Sequence, residues 1–189
     1  AFRDNPNYLP KILEKGKRFN VQNLAINSEV SDFGGTLKNG KLYITSARNS
    51  NRKTYGWNEE PFLDIYTAYV NDDGEFQTPS IIEQNINTKY HEGTVSFSPD
   101  GNTMYFVSDR KGEKSSTDIY VVEKNGKSWG TAKPLPMTIN TVGRETTPFI
   151  TPDGRYLFFS SEGHLGMGGL DVFVVENQGG VWGTPINLG

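Results

Sequence analysis

Ser98-Pro99-Asp100-Gly101-Asn102-Thr103-Met104-Tyr105-Phe106 is matched 53 residues later by Thr151-Pro152-Asp153-Gly154-Arg155-Tyr156-Leu157-Phe158-Phe159. A degenerate earlier copy reads Leu37-Lys38-Asn39-Gly40-Lys41-Leu42-Tyr43-Ile44, its glycine 61 residues before Gly101. Each copy joins a tight turn, with a Gly free to take positive φ, to an apolar run rich in strand formers. Self-similarity at a fixed period is the mark of a repeat architecture and decides the fold.

Four more landmarks keep the same order and period. Asp64-Ile65-Tyr66, Asp118-Ile119-Tyr120 and Asp171-Val172-Phe173 follow the turns. Then come Phe76-Gln77-Thr78, Trp129-Gly130-Thr131 and Trp182-Gly183-Thr184. Ile26-Asn27-Ser28, Ile86-Asn87-Thr88 and Ile139-Asn140-Thr141 open the copies, and Asp32, Glu92 and Glu145 precede their first strands.

The middle copy predicts four strands: Thr94 to Ser98, Thr103 to Ser108, Asp118 to Glu123 and Ser128 to Ala132. Lys124-Asn125-Gly126-Lys127 is the hairpin turn before the last, since Asn-Gly favours the type I′ geometry. Met104-Tyr105-Phe106-Val107 and Val172-Phe173-Val174-Val175 are apolar on both faces. A sheet with one wet face would alternate, so these strands are expected between sheets. Four-stranded units stacked around an axis are propeller blades. The fold class is therefore all-β, a β-propeller of four-stranded antiparallel blades spanning 28–80, 88–134 and 141–186.

Residues 18–24 precede Ile26-Asn27 as a fourth strand does elsewhere, and are expected to be one strand of a preceding blade. Residues 1–17 read as a linker or the end of a preceding helical region, with one or two helical turns over Asn7 to Lys17 and Pro10 in the first. Three blades and a strand cannot close a ring, and propellers have four or more. The remaining blades either lie outside this sequence or come from another chain. Ala1 in place of a Met fits a processed product or an excised piece.

Composition narrows the function. The 189 residues carry a net charge of −3, which gives no reason to expect a nucleic-acid partner. The densest basic cluster, Lys11, Lys15, Lys17 and Arg18, reads as a solvated helix end. There is no Cys, which excludes disulfides, Cys-ligated zinc and a thiol nucleophile. No apolar run approaches the ~20 residues that span a bilayer, so this segment is not expected to insert in a membrane.

The S/T-P-D-G turn followed by D-I-Y-V resembles the WD-like, TolB-like β-propeller repeats named for their Pro-Asp dipeptide. Asn27 to Gly34, Lys89 to Thr94 and Gly163 to Phe173 are similar to the propeller segment of Bacteroidota outer-membrane protein A family lipoproteins. In those proteins a tetratricopeptide region precedes the propeller and a peptidoglycan-binding domain, absent here, follows it. The resemblance implies a periplasmic, outer-membrane-associated location and other envelope proteins as partners, with peptidoglycan reached only through the absent domain. Some relatives belong to the type IX secretion and gliding machinery. It carries over no catalytic residue, cofactor or metal.

Tests for chemistry agree with that reading. Asp32, Glu92 and Glu145, like Asp64, Asp118 and Asp171, recur in every copy. Paired carboxylates are a glycosidase signature, but an acid needed in every blade is more simply structural. The glycine-rich stretch Gly163 to Gly169 lacks the strand-turn-helix context of a phosphate cradle. His91 and His164 offer no metal-ligand spacing. Asn71-Asp72-Asp73-Gly74-Glu75 reads as a hairpin turn rather than a calcium loop. No G-x-S-x-G elbow is present.

The first copy is longer than the others, in Asn49 to Pro61. An aromatic, charged loop on a rigid scaffold is a usual place for binding. Tyr55 and Trp57 of that loop, with His164 in the glycine-rich stretch, are the candidate partner-binding residues. The competing reading is that Trp57 covers the neighbouring blade. The expected function is a non-catalytic protein-binding scaffold. The alternative is a carbohydrate-binding or carbohydrate-active propeller with axial carboxylates, for which His91 and Arg144 are the nearest residues that break the repeat.

Overall fold

The computed structural model describes residues 8–16, 20–83, 85–110 and 116–189. Three antiparallel sheets follow one another along the chain. The first holds β1 (Asp32–Lys38), β2 (Lys41–Ser46), β3 (Asp64–Tyr69) and β4 (Ser80–Ile81). The second holds β5 (Glu92–Phe97), β6 (Thr103–Ser108), β7 (Asp118–Asn125), β8 (Ser128–Trp129) and β9 (Lys133–Pro134). The third holds β10 (Glu145–Ile150), β11 (Tyr156–Ser161), β12 (Asp171–Gln178), β13 (Val181–Trp182) and β14 (Ile186–Asn187). This is the repeated blade expected from the sequence.

The Pro-Asp-Gly turn is held by its own side chains. Ser98 Oγ donates to Asp100 Oδ1 at 2.5 Å, the Asn102 amide donates to the same oxygen at 3.0 Å, and Gly101 takes φ 71°. Those bonds hold the Asp100 carboxyl near 2, the Ser98 hydroxyl contributing most. The third blade repeats the turn with Thr151, Asp153 and Gly154.

Two expectations about strands are corrected. The outermost strand of the second blade is not continuous over Ser128 to Ala132. It breaks into β8 and β9, both paired with β7. At the break the Gly130 amide donates to the Glu123 carbonyl at 2.8 Å, and a Cβ on Gly130 would sit 3.0 Å from that oxygen. The Trp-Gly-Thr landmark is thus a close backbone approach, with its Trp turned inward. Residues 20–24 form no strand, and Val21 is exposed. Residues 18 and 19 lie outside the described residues. The helix does form, as α1 (Tyr8–Gly16), while the expected ends Asn7 and Lys17 lie outside the described residues.

Side chains alternate across each strand, so a blade can serve two cores, and the second blade serves the joints on both its sides. Tyr43 and Ile65 of the first blade pack with Met104, Phe106, Tyr120 and Val122 of the second. Tyr105 and Ile119 of the second pack with Leu157, Phe159, Phe173 and Val175 of the third. Trp129 and Trp182 close these joints near their outer ends. The third blade departs from burial on both faces. Leu157 and Phe159 are buried, whereas Phe158 and Val174 are only partly covered and Val172 is exposed.

Each joint is also clamped by an asparagine. Asn87 accepts from the Ile65 amide at 2.8 Å and donates to the Ile65 carbonyl at 2.9 Å. Asn140 treats Ile119 in the same way, with both bonds at 2.9 Å. Buried backbone groups need such partners, which explains the recurring Ile-Asn landmark.

Candidate functional site

The acidic residue that opens each inner strand is a structural lock. Asp32 accepts from the Ser28 amide and hydroxyl at 2.6 and 2.8 Å and from Arg48 at 2.8 Å. Glu92 accepts from the Thr88 amide and hydroxyl at 2.9 and 2.6 Å and from the Ser108 hydroxyl at 2.8 Å, with Arg110 at 3.5 Å. Glu145 accepts from the Thr141 amide and hydroxyl at 2.9 and 2.7 Å and from the Ser161 hydroxyl at 2.7 Å. Glu92 and Glu145 have no exposed surface. The carboxylate oxygens are taken up by these donors, and those of Glu92 and Glu145 are closed to solvent.

His164 takes the place of the arginine in the third lock. Arg48 and Arg110 donate to the carbonyls of Ile26 and Ile86. His164 instead places Nε2 3.1 Å from the Thr138 carbonyl and Nδ1 2.9 Å from Ser161 Oγ. It packs against Phe159 and Phe173. Glu145 lies 3.9 Å away. His164 is therefore part of the scaffold and does not join Tyr55 and Trp57. The glycines around it permit close backbone approach: a Cβ on Gly143 would lie 2.6 Å from the Gly163 nitrogen.

Burial and hydrogen bonding pull the locks in opposite directions. Burial raises Asp32, but Ser46, Arg48 and Ser28 outweigh it and bring the carboxyl to about 2. In Glu92 burial prevails over Thr88, Ser108 and Arg110, and the carboxyl lies above its ordinary value. Burial raises Asp64 too, against Asn49 and Arg52. Arg52 lies 3.3 Å from Asp64 and 4.0 Å from Glu92, and so ties the first blade to the second.

The inner strands all bulge just after the lock. Gly34, Thr94 and Thr147 take φ of 66°, 34° and 50° at the bulge. Positive φ is costly for a β-branched residue, and such strain survives only where the surrounding structure fixes it. Thr94 is held by its amide, which donates to Thr45 Oγ1 of the first blade at 2.8 Å.

Above these bulges lies a groove of about 710 Å³ that touches all three blades. Phe33, Tyr55 and Trp57 form an aromatic side from the first blade. Thr94, Thr117 and Thr147 supply hydroxyls, and Asp109, Arg144 and Glu162 supply charge. Arg144 donates to Glu162 at 3.0 Å.

The long loop of the first blade is a small hairpin. The Tyr55 amide donates to the Glu60 carbonyl at 2.7 Å, the Phe62 amide to the Lys53 carbonyl at 2.8 Å, and Thr54 bridges Pro61. Glu60 in turn accepts from the Ser31 amide at 3.0 Å, which anchors the hairpin to the blade. Trp57, near its tip, is 84% exposed. It does not cover the neighbouring blade.

His91 supports this hairpin. Its ring stacks on Phe62 at 4.0 Å and meets Tyr55 edge-on at 5.1 Å. Nδ1 accepts from the Leu63 amide at 3.1 Å, so the neutral ring carries its proton on Nε2. Burial lowers its pKa, partly offset by Asp109. The folded state thus binds fewer protons than the unfolded chain as pH falls through about 6.5, and stability drops there. Nitrogen NMR of the imidazole is expected to show a neutral Nε2–H ring at pH 6.5. An imidazolium or an Nδ1–H ring at that pH would refute the assignment.

Tyr55 and Trp57, singled out in the sequence as candidates, line this groove together with Phe33, Thr94 and Thr147, which the sequence did not single out. The acidic landmark was the available signal, because the residues just after it line the groove. In the acidic turn of residues 71–75, the Asn71 side-chain carbonyl is taken by the amides of Asp73 and Glu75. Among the described residues no cluster of three His, Asp or Glu side chains is placed to hold a metal.

No protein-family model and no curated protein sequence matches the chain. Among solved structures it is similar to TolB from Acinetobacter baumannii, at 19% identity and a TM-score of 0.52, over 82% of this chain and 32% of that one. It is also similar to a putative TolB from Agrobacterium tumefaciens, at 20% identity and a TM-score of 0.47, over 76% of this chain and 41% of that one. The chain therefore spans about a third of the Acinetobacter protein's length. Blade order, register and the first of these similarities together establish a TolB-like β-propeller fold.

Proposed function

We propose that the chain is a non-catalytic docking scaffold of the periplasm, associated with the outer membrane, that holds a segment of another envelope protein in the groove beside Trp57. The observation that carries this is an exposed tryptophan on a braced hairpin beside a groove made by three blades. Tryptophan gives large contact area at low entropic cost and is enriched among residues that dominate interface energy. The repeated carboxylates, which a glycosidase would need, are consumed by the locks. A role in secretion or envelope assembly is part of the same proposal and rests on the sequence resemblance to outer-membrane protein A family lipoproteins alone, as does the assignment of peptidoglycan binding to a domain other than this one.

The test is a pull-down from envelope extracts with the chain and with Trp57→Ala as bait. Envelope proteins retained by the first and lost from the second support the proposal. Identical recovery with both baits overturns it. The second reading, carbohydrate binding, is favoured by the same exposed ring, since aromatic faces also stack on sugars. Retention of glycans in a Trp57-dependent manner, with no protein retained, would select it.

A further inference from the structure

A second cleft, of about 410 Å³, opens at the joint between the first and second blades and shares no lining residue with the groove beside Trp57. Four lysines line it. Lys38 and Lys41 come from either side of the β1–β2 turn of the first blade, and Lys124 and Lys127 from the β7–β8 hairpin of the second.

Three of these lysines have a defined place. Lys38 Nζ donates to the carbonyls of Ser98 and Pro99 at 2.9 and 2.8 Å, across the joint. A Cβ on Gly101 would lie 2.9 Å from Lys38 Cε, so that glycine makes room for the lysine stem. Lys41 Nζ lies 4.4 Å from the centre of the Tyr69 ring, and Lys124 Nζ 5.2 Å from that of Trp129. Aromatic faces attract ammonium groups, so both are steered to the cleft wall.

The positive charge is not balanced. Glu83 is the one acid among the lining residues, and its Oε2 already accepts from the Trp129 amide at 3.0 Å. Among the described residues no carboxylate forms an ion pair with Lys41, Lys124 or Lys127. Like charges gathered in one cleft repel one another, and a bound anion relieves that repulsion.

The lysines also break the repeat. At the joint between the second and third blades, the positions of Lys38, Lys41, Lys124 and Lys127 are held by Ser98, Thr103, Asn177 and Gly180. Tyr69 is replaced there by Glu123. The tryptophan is kept, as Trp182. The second joint thus closes without a single one of these charges, so the scaffold does not require them. Residues that every blade shares serve the fold, whereas a cluster confined to one joint is a site added to it.

We infer that this cleft binds a multivalent anion carrying phosphate groups. A phosphate ester concentrates about two negative charges in one small group. A carboxylate carries one and is matched best by the planar fork of arginine, whereas lysine meets phosphate as a point charge. This site is independent of the docking proposed beside Trp57.

The test is titration calorimetry of the purified chain with pyrophosphate at about 0.15 M ionic strength. Citrate serves as a carboxylate anion of comparable charge. Pyrophosphate is expected to bind, and citrate to bind at least about tenfold more weakly. The double variant Lys41→Gln/Lys124→Gln is expected to weaken pyrophosphate binding about tenfold or more, with circular dichroism checking the fold. Lys127→Gln changes only an exposed turn and is expected to weaken it about threefold. Lys89→Gln is the control. Lys89 also lies over an aromatic ring, that of Tyr90 at 5.3 Å, but outside the cleft, and its loss is expected to leave binding unchanged. Co-sedimentation with phosphatidylcholine vesicles containing phosphatidate locates the phosphate. Capture that pyrophosphate reverses and the double variant loses assigns the site to a lipid headgroup, and pyrophosphate binding without capture assigns it to a soluble phosphate compound. No pyrophosphate binding, equal binding of citrate, or unchanged affinity in the lysine variants would each overturn the inference.

Discussion

Glu92→Ala is expected to destabilise the chain by about 3–5 kcal/mol, whereas Asp32→Ala at the equivalent position is expected to cost about 1–2 kcal/mol. Glu92 has no exposed surface and takes three hydrogen bonds, from the Thr88 amide and from the hydroxyls of Thr88 and Ser108. Its removal leaves those donors, with Arg110 and Arg52 beside them, without an acceptor between two blades. Around Asp32 the acid and Arg48 retain 14% and 17% exposure, so water replaces much of what is lost. Glu92→Gln keeps an acceptor oxygen and removes a charge that burial disfavours, so it is expected to cost less than Glu92→Ala. Urea unfolding of the three variants checks the order. Equal losses for Glu92→Ala and Asp32→Ala would refute burial as the deciding factor.

The two acids also carry opposite pH signatures. The folded pKa of Asp32 is about 2, below the unfolded value of about 3.9, so its contribution is complete above about 3.9 and fades as pH falls towards 2. The folded pKa of Glu92 is raised, so between the unfolded value of about 4.3 and its own the folded state binds more protons. Stability from Glu92 therefore increases as pH falls through that window. One landmark in one repeat gives two signs, because the first blade leaves its lock at the wet edge and the second encloses it.

What the sequence made legible was local. The Pro-Asp-Gly turn is held by bonds among residues 98–103, so its residues alone announce it. The blade count followed from the period. The locks were legible as recurring acids, and the recurrence itself argued for structure. Illegible features depended on distant partners. The bulges at Thr94 and Thr147 arise where inner strands meet around the axis, and nothing in a Thr codon position marks positive φ. His164 looked like a loop residue because it stands three residues after Ser161, whereas Arg48 and Arg110 stand two after Ser46 and Ser108. Only the fold shows that it fills the same lock. The groove draws on residues from Ser31 to Glu162, so its contents emerge only when three blades stand side by side.

Trp57→Ala is expected to weaken partner binding about thirtyfold or more while leaving unfolding free energy within about 0.5 kcal/mol of the parent chain. The separation follows from where the ring sits. At 84% exposure it contributes little to the folded core, so its loss opens no cavity. The hairpin that carries it is held by the Tyr55–Glu60 and Phe62–Lys53 backbone bonds and by the Glu60 contact to Ser31, none of which uses the indole. A braced loop loses little freedom on binding, so burying the ring against a partner yields most of its apolar contribution. Tyr55→Ala is a contrasting variant. Tyr55 meets His91 and Phe62 edge-on, so its removal should lower both binding and stability. Titration calorimetry against the captured partner, paired with urea unfolding, separates the two effects. Unchanged affinity for Trp57→Ala would move the binding surface away from the hairpin. A matching loss of stability would show that the exposed ring is held by the scaffold after all.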